Sequence, residues 1–215
     1  MRVLPWFTDD TVTFLINFID GFKKEHGRFP AVLEFGMGSS SLYFGNRSSE
    51  LVSFEHDADW FAKTTAIMDL QGWDHESHLF ERPYSVKIAE IVGDRKFDLI
   101  LIDGRDRVAC LSELIRIDAL REDGVFVIDN TERMFDREKE YGPMLDILRP
   151  DYKVVHFEQN GRDRTGWHSG HRWLSTVAWR RDGRQYRKNG TSTDSLHGLR
   201  GLPKRLKRSI ARRLK

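Results

Sequence analysis

Apolar side chains recur along this chain in two rhythms. Near the start, Val12, Leu15, Ile16 and Ile19 share one face at helical spacing, which predicts a helix over 9–25 with Thr8 as its cap and Gly27 as its stop. Beyond it come short unbroken apolar runs at 31–35, 51–54, 97–102 and 124–128. Each is too short for a helix and suits a parallel strand buried on both faces. Helical patterns at 58–70, 84–92, 108–120 and 137–148 lie between these runs, while 71–80 is ambiguous and has room for a short strand. Two further runs, 152–157 and 172–180, are joined by a polar loop with several glycines and read as an antiparallel hairpin at a sheet edge. The alternation predicts an α/β fold: an open, mostly parallel sheet with helices on both faces. Ligands then belong at the carboxyl ends of the strands.

Size narrows the picture further. A chain of 215 residues with 39% hydrophobic content supports one well-buried domain with appendages. The expected division is an N-terminal helical segment at 1–30, the α/β domain at 31–181 and a C-terminal extension at 182–215. No stretch reaches the roughly 18–20 apolar residues of a spanning helix, and residues 1–10 lack the pattern of a signal peptide, so the expected location is cytoplasmic. The single cysteine, Cys110, falls in an apolar helical pattern and reads as a buried structural thiol.

The formal net charge of +2 hides an asymmetry. Residues 180–215 hold 13 Lys and Arg against Asp182 and Asp194, which leaves 22 basic and 31 acidic residues in the rest of the chain. The tail therefore reads as a separate device.

Chemistry concentrates at three strand ends. The first run passes through Val32-Leu33-Glu34-Phe35 into Gly36-Met37-Gly38-Ser39-Ser40-Ser41, a glycine-containing turn before a helix. Gly36 and Gly38 would let backbone approach a ligand, with the amides around Ser39 and Ser40 facing its polar atoms. About 20 residues later, Val52-Ser53-Phe54 ends in Glu55, an acid placed to accept hydrogen bonds from ribose hydroxyls. His56 and Asp57 are either its neighbours at the ligand or the cap of the next helix. A nucleotide-like ligand fits these features, which do not by themselves separate a dinucleotide from other adenosine compounds.

Leu33-Glu34-Phe35-Gly36, together with Ser53-Phe54-Glu55-His56-Asp57, resembles motif I and the following acidic position of the class I S-adenosylmethionine-dependent methyltransferases. The resemblance spans about 31–180. It implies a Rossmann-like, seven-stranded sheet with a reversed last strand, the donor's amino acid end near Glu34 to Gly38, and its ribose on Glu55. Asp103, at the edge of the same pocket, joins His56 among the expected donor-binding residues.

The third signal pairs Phe97-Asp98-Leu99-Ile100-Leu101-Ile102-Asp103-Gly104 with Gly124-Val125-Phe126-Val127-Ile128-Asp129-Asn130. Two carboxylates and an amide carbonyl, Asp103, Asp129 and Asn130, would converge at adjacent strand ends and suit a hard cation such as Mg²⁺. Alternatively, Asp103 bonds the turn after its strand and Asp129-Asn130 cap the next helix. The set resembles the metal site of catechol and metal-dependent sugar O-methyltransferases, which implies O-methylation assisted by a divalent metal. A base is then expected nearby, with Asp106, His168 and His171 as candidates. Arg105, Arg107, Glu132 and Arg133 follow the proposed ligands, either to hold acceptor oxygens or to form internal ion pairs. The Asp103-Gly104-Arg105 and Asp129-Asn130-Thr131-Glu132-Arg133 segments resemble a bacterial branch associated with glycan modification, which makes a sugar hydroxyl the first acceptor class. A phenolic or natural-product acceptor is the alternative, with RNA behind it.

Two peripheral readings remain. The segment 160–170, with Trp167 and His168, suits either a mobile lid or a plain hairpin loop, and Trp6 and Phe7 either pack on the core, the favoured reading, or help cover the donor. From about 185 to 195 the chain is polar and reads as a linker, after which Leu202, Leu206, Ile210 and Leu214 recur among basic residues. Such a helix would meet an anionic membrane surface or an acidic partner ahead of nucleic acid.

Overall fold

The computed structural model of the chain describes residues 3–160 and 172–192. Seven strands, β1 (Ala31–Phe35), β2 (Glu50–Glu55), β3 (Glu76–Leu79), β4 (Phe97–Ile102), β5 (Leu120–Ile128), β6 (Tyr152–Asn160) and β7 (Arg172–Arg180), form one sheet in the order β3-β2-β1-β4-β5-β7-β6. The first five strands are mutually parallel, and β7 runs antiparallel between β5 and β6. The strand order reverses between β1 and β4, which opens a crevice at their carboxyl ends.

The apolar runs work because a strand points successive side chains to opposite faces. Leu33, Phe35, Ile100, Ile102, Phe126 and Ile128 enter one core layer, while Val32, Leu99, Leu101, Val125 and Val127 enter the other. Helix α1 (Asp9–His26) covers the second layer with Phe14, Leu15, Phe18 and Ile19, and Gly27 ends it at φ 67°. Thr8 precedes α1 but caps nothing; its hydroxyl pairs with that of Thr11 at 2.8 Å. Helices α2 (Ser39–Phe44) and α3 (Ala58–Leu70) follow β1 and β2. Helices α4 (Ile88–Val92) and α5 (Arg107–Arg116) pack on the first layer, and Cys110 of α5 is buried, as its pattern predicts.

Several boundaries differ from the sequence reading. The pattern at 84–92 divides into a 3₁₀ turn, Tyr84–Lys87, and α4. The helix expected over 108–120 stops at Arg116, because Asp118 adopts φ 54° and is held by Lys96 and Arg180. Strand β5 therefore starts at Leu120, four residues before Gly124, with a register shift between Phe97 and Leu99. Gly124 sits in this irregular stretch because a Cβ there would lie 2.8 Å from Leu120 Cδ1. After a short α6 (Arg133–Asp136), the pattern at 137–148 divides into α7 (Glu138–Tyr141) and α8 (Pro143–Leu148), with Pro143 opening the last.

The linker expected from about 185 is docked on the domain at least as far as Ser192. Tyr186 is buried among Phe14, Phe18 and Trp179, and the preceding Arg184 is buried against Glu25 of α1, with Nη1 to Oε2 at 2.8 Å. Gly190, at φ 80°, lies so close to Phe14 O that a Cβ would fall 2.1 Å from it. The apolar repeat of the tail lies outside the described residues. Among the described residues no helix is long and apolar enough to cross a membrane.

Candidate active site

The crevice at the ends of β1, β2, β4 and β5 is an open cavity of about 780 Å³, a size suited to a small-molecule ligand. One wall is the Gly36–Ser40 turn, facing Glu55, His56, Asp57 and Trp60; the other carries Asp103, Gly104, Arg105, Arg107, Asn130 and Arg133. The sequence-predicted residues Gly36, Gly38, Ser39, Ser40, Glu55, His56, Asp103 and Asn130 thus come together around one space.

Glu55 is organised by backbone amides. Met37 N donates to Oε2 at 2.8 Å, and His56 N and Asp57 N donate to Oε1 at 2.7 and 2.9 Å. Oε1 thus holds two amides, with His56 Nδ1 also 2.7 Å away, while Oε2 holds one, so of the roughly four acceptor positions of a carboxylate one on Oε2 remains for a ligand hydroxyl. Asp57 caps α3 by accepting from Trp60 N at 2.9 Å. The Trp60 indole donates in turn to Met37 O.

Glu34 stands elsewhere than expected. It is fully buried beneath the turn and does not line the cavity. Its oxygens accept from Ser40 Oγ at 2.8 Å and Ser53 Oγ at 2.7 Å, and burial raises its pKa to about 7. Glu34 therefore braces the turn rather than touching a ligand. The glycines also have a different reason from the one expected. A Cβ on Gly36 (φ 94°) would lie 2.7 Å from Gly104 N, and one on Gly38 (φ 151°) would lie 2.9 Å from Trp60 Nε1. Both are glycine because the chain itself fills the space a side chain would need.

The metal set needs a larger correction. Asp129 is buried, does not line the cavity and turns towards β7, where Oδ1 accepts from Ser175 Oγ at 2.6 Å and Trp173 Nε1 at 3.0 Å. Burial raises its pKa to about 6. Asp103 and Asn130 do face the cavity, but the buried guanidinium of Arg107 lies between them. Its Nη2 donates to Asp103 Oδ1 at 3.2 Å and to Asp103 O at 2.6 Å; Nη1 and Nη2 each reach Asn130 Oδ1 at 3.1 Å. Nε donates to Gly104 O at 2.9 Å, and Nη1 also donates to Asp129 O. A guanidinium with all its donors engaged thus holds two of the three expected metal ligands, and the third faces away. Mg²⁺ does not fit this donor set unless Arg107 is expelled. Among the described residues no other group of three His, Cys, Asp or Glu is placed to hold a metal.

Asp106, a candidate base, does not line the cavity: its carboxylate pairs with Arg82 Nη2 at 2.7 Å. His168 and His171, like the expected lid over 160–170 beyond residue 160, lie outside the described residues. Burial, and then the charge of Asp129, raise the pKa of Asp103. The two readings offered for Trp6 and Phe7 divide between them, against the favoured one for Trp6. Trp6 lines the cavity with 45% of its surface exposed, while its neighbour Phe7 is buried in the core. Apolarity alone could not separate the two.

No family model matches this sequence, and no curated protein matches it. Solved structures do. An O-methyltransferase from Streptomyces achromogenes, TomG, involved in tomaymycin synthesis and solved in complex with SAM, is 17% identical over 80% of this chain and 78% of its own, with a TM-score of 0.59. A Klebsiella pneumoniae protein provisionally described as an O-methyltransferase is 20% identical over 82% and 83%, with a TM-score of 0.60. A Bacillus cereus O-methyltransferase in complex with SAH is 16% identical over 81% and 84%, with a TM-score of 0.57. With its sheet order, reversed last strand and crevice, the chain has the fold of the class I S-adenosylmethionine-dependent methyltransferases.

Proposed function

We propose that the chain is an S-adenosylmethionine-dependent O-methyltransferase acting on a hydroxyl of a sugar or glycan. The observation that carries the reading is the cleft wall in which the Gly36–Ser40 turn meets Glu55 across the β1/β2 ends, with one carboxylate lone pair left for a ribose hydroxyl. Structural neighbours solved with SAM or SAH support the same donor. Exposed indole faces of Trp6 and Trp60 and the polar groups of the opposite wall suit a polyhydroxylated acceptor.

The reaction would be an in-line displacement in which the methyl carbon leaves sulfur and bonds to the acceptor oxygen, the donor departs as SAH, and the hydroxyl proton goes to a base. The chain's contribution is alignment of the three atoms and removal of that proton. Asp103 is the acid on the acceptor wall, with one oxygen on Arg107, and is the group we assign to take the proton. The reading needs no metal, although the sequence suggested one, because Arg107 holds Asp103 Oδ1 and Asn130 Oδ1 and the Asp129 carboxylate turns to Ser175 and Trp173.

Calorimetry with SAH, followed by transfer of labelled methyl to a panel of glycosides and phenols, tests the reading. Binding of SAH with transfer to the glycosides is the expected result. Folded protein that takes up neither donor nor SAH would refute the activity; transfer to phenols alone would refute the acceptor class.

A further inference from the structure

Three arginines line the acceptor wall of the cleft, and they are not equivalent. Arg107 is neutralised by Asp103 and buried. The Arg133 side chain, at the start of α6, makes one hydrogen bond among the described residues, to the uncharged Tyr141 Oη at 3.2 Å, and its charge is felt by Glu132 and Asp129 without a direct ion pair to either. The exposed Arg105 side chain forms no ion pair among the described residues. Its neighbours in the chain and in space do find acids: Arg82 holds Asp106 and Arg107 holds Asp103.

The acids lining the cleft are turned to other partners than these two arginines. Glu55 accepts three backbone amides, Asp57 caps α3, and Asp103 is bound to Arg107. A bound donor would add a positively charged sulfonium to the same space. When an acceptor fills the cleft, it displaces water from Arg105 and Arg133, which is unfavourable unless the ligand supplies negative charge in its place. The two residues follow the ends of adjacent strands, β4 and β5, and both line the same cavity.

We propose that Arg105 and Arg133 bind an anionic group, a carboxylate or a phosphate, carried by the acceptor beside the hydroxyl that is methylated. The substrate class is then an acidic sugar or glycan unit rather than a neutral one. This assignment rests on the methyl-transfer reading above, but the anion site can be tested apart from it.

The test uses the whole chain, with and without SAH, as wild type, as Arg105→Gln, as Arg133→Gln and as the double variant. Inorganic phosphate and acetate are titrated into each by calorimetry, and methyl transfer is compared for methyl glucoside, methyl glucuronide and glucose 6-phosphate. Wild type should bind one of the two anions, with the tighter identifying the group. The double variant should lose about tenfold or more of that affinity while its SAH affinity stays within about twofold. The anionic acceptor should outrun the neutral one about tenfold in kcat/KM in wild type and lose that advantage in the variant. Equal use of neutral and anionic acceptors, or anion binding that survives the double substitution, overturns the proposal. So does a fall in SAH affinity in either single variant, since the arginines would then serve the donor's own carboxylate. Wild type that binds phosphate without binding SAH keeps the anion site and removes the methyl-transfer reading.

Discussion

Arg107 and Asn130 are joined twice, with Nη1 and Nη2 each 3.1 Å from the same amide oxygen, Oδ1. That oxygen is one of the three the sequence offers to a divalent ion. The first prediction is therefore that methyl transfer is unchanged by chelator and that the electron-paramagnetic-resonance signal of Mn²⁺ is not attenuated by wild-type protein. Chelator-sensitive turnover, restored by Mg²⁺, would show that the guanidinium gives way to a metal.

Arg107→Ala leaves Asp103 and Asn130 facing each other without their shared donor. Removing one partner of a buried pair costs about 3–5 kcal/mol, and partial exposure of Asp103 places this case towards the low end. Denaturant unfolding should show the loss, and Arg107→Lys should recover part of it, since a point charge replaces only some of the fork's bonds. A variant as stable as wild type would mean that the contact contributes nothing.

Glu55→Gln should weaken SAH binding about tenfold or more. The two carboxylate oxygens accept from three amide donors, and a side-chain NH₂ in place of one oxygen turns a donor against a donor. Calorimetry measures the effect directly, and unchanged affinity would remove Glu55 from the donor site.

Glu34 supplies a pH prediction with a definite sign. Its pKa rises from 4.5 to about 7 on folding, so the folded state favours the protonated acid. The stabilisation is complete below pH 4.5 and disappears as pH rises through about 7, a change of about 3 kcal/mol at most. Glu34→Gln stays neutral at every pH and should flatten that part of the stability profile, becoming the more stable form at pH 8. Parallel profiles for the two proteins would contradict the raised pKa.

Gly104→Ala should destabilise the fold by about 1–3 kcal/mol or more, because the new methyl would sit 2.1 Å from Tyr84 Oη and 3.0 Å from Gly36 N. Tyr84→Phe in the same chain should relieve part of the clash. Thermal unfolding of the single and double variants checks both statements.

What could be read from the sequence divides along a physical line. The central strands were legible because β1 and β4 are buried on both faces, which forces unbroken apolar runs, and because the runs stop at the cleft. The start of β5 was not, since the exposed Arg121 and Glu122 separate Leu120 from the apolar run and left it to be read with the preceding helical pattern. The docking of residues 184–192 was hidden because it rests on one aromatic, one arginine and a glycine in an otherwise polar segment. At the cleft, residue types located Glu55, Asp103 and Asn130, but Arg107 binds three backbone carbonyls as well as two side chains, and backbone positions leave no trace in residue types. The sequence did place Arg107 among residues suited to an internal ion pair, and its i to i+4 spacing from Asp103 pointed to the pair that forms.

The contact of Gly36 with Gly104 has a consequence for how this cleft can diversify. The two backbones touch with no side chain between them, so the strip of main chain beneath one wall of the cleft also supports the other. Neither half can be reshaped by moving its loop without disturbing the other. New acceptor preferences must therefore arise by exchange of outward-pointing side chains around the opening, over a foundation that stays fixed.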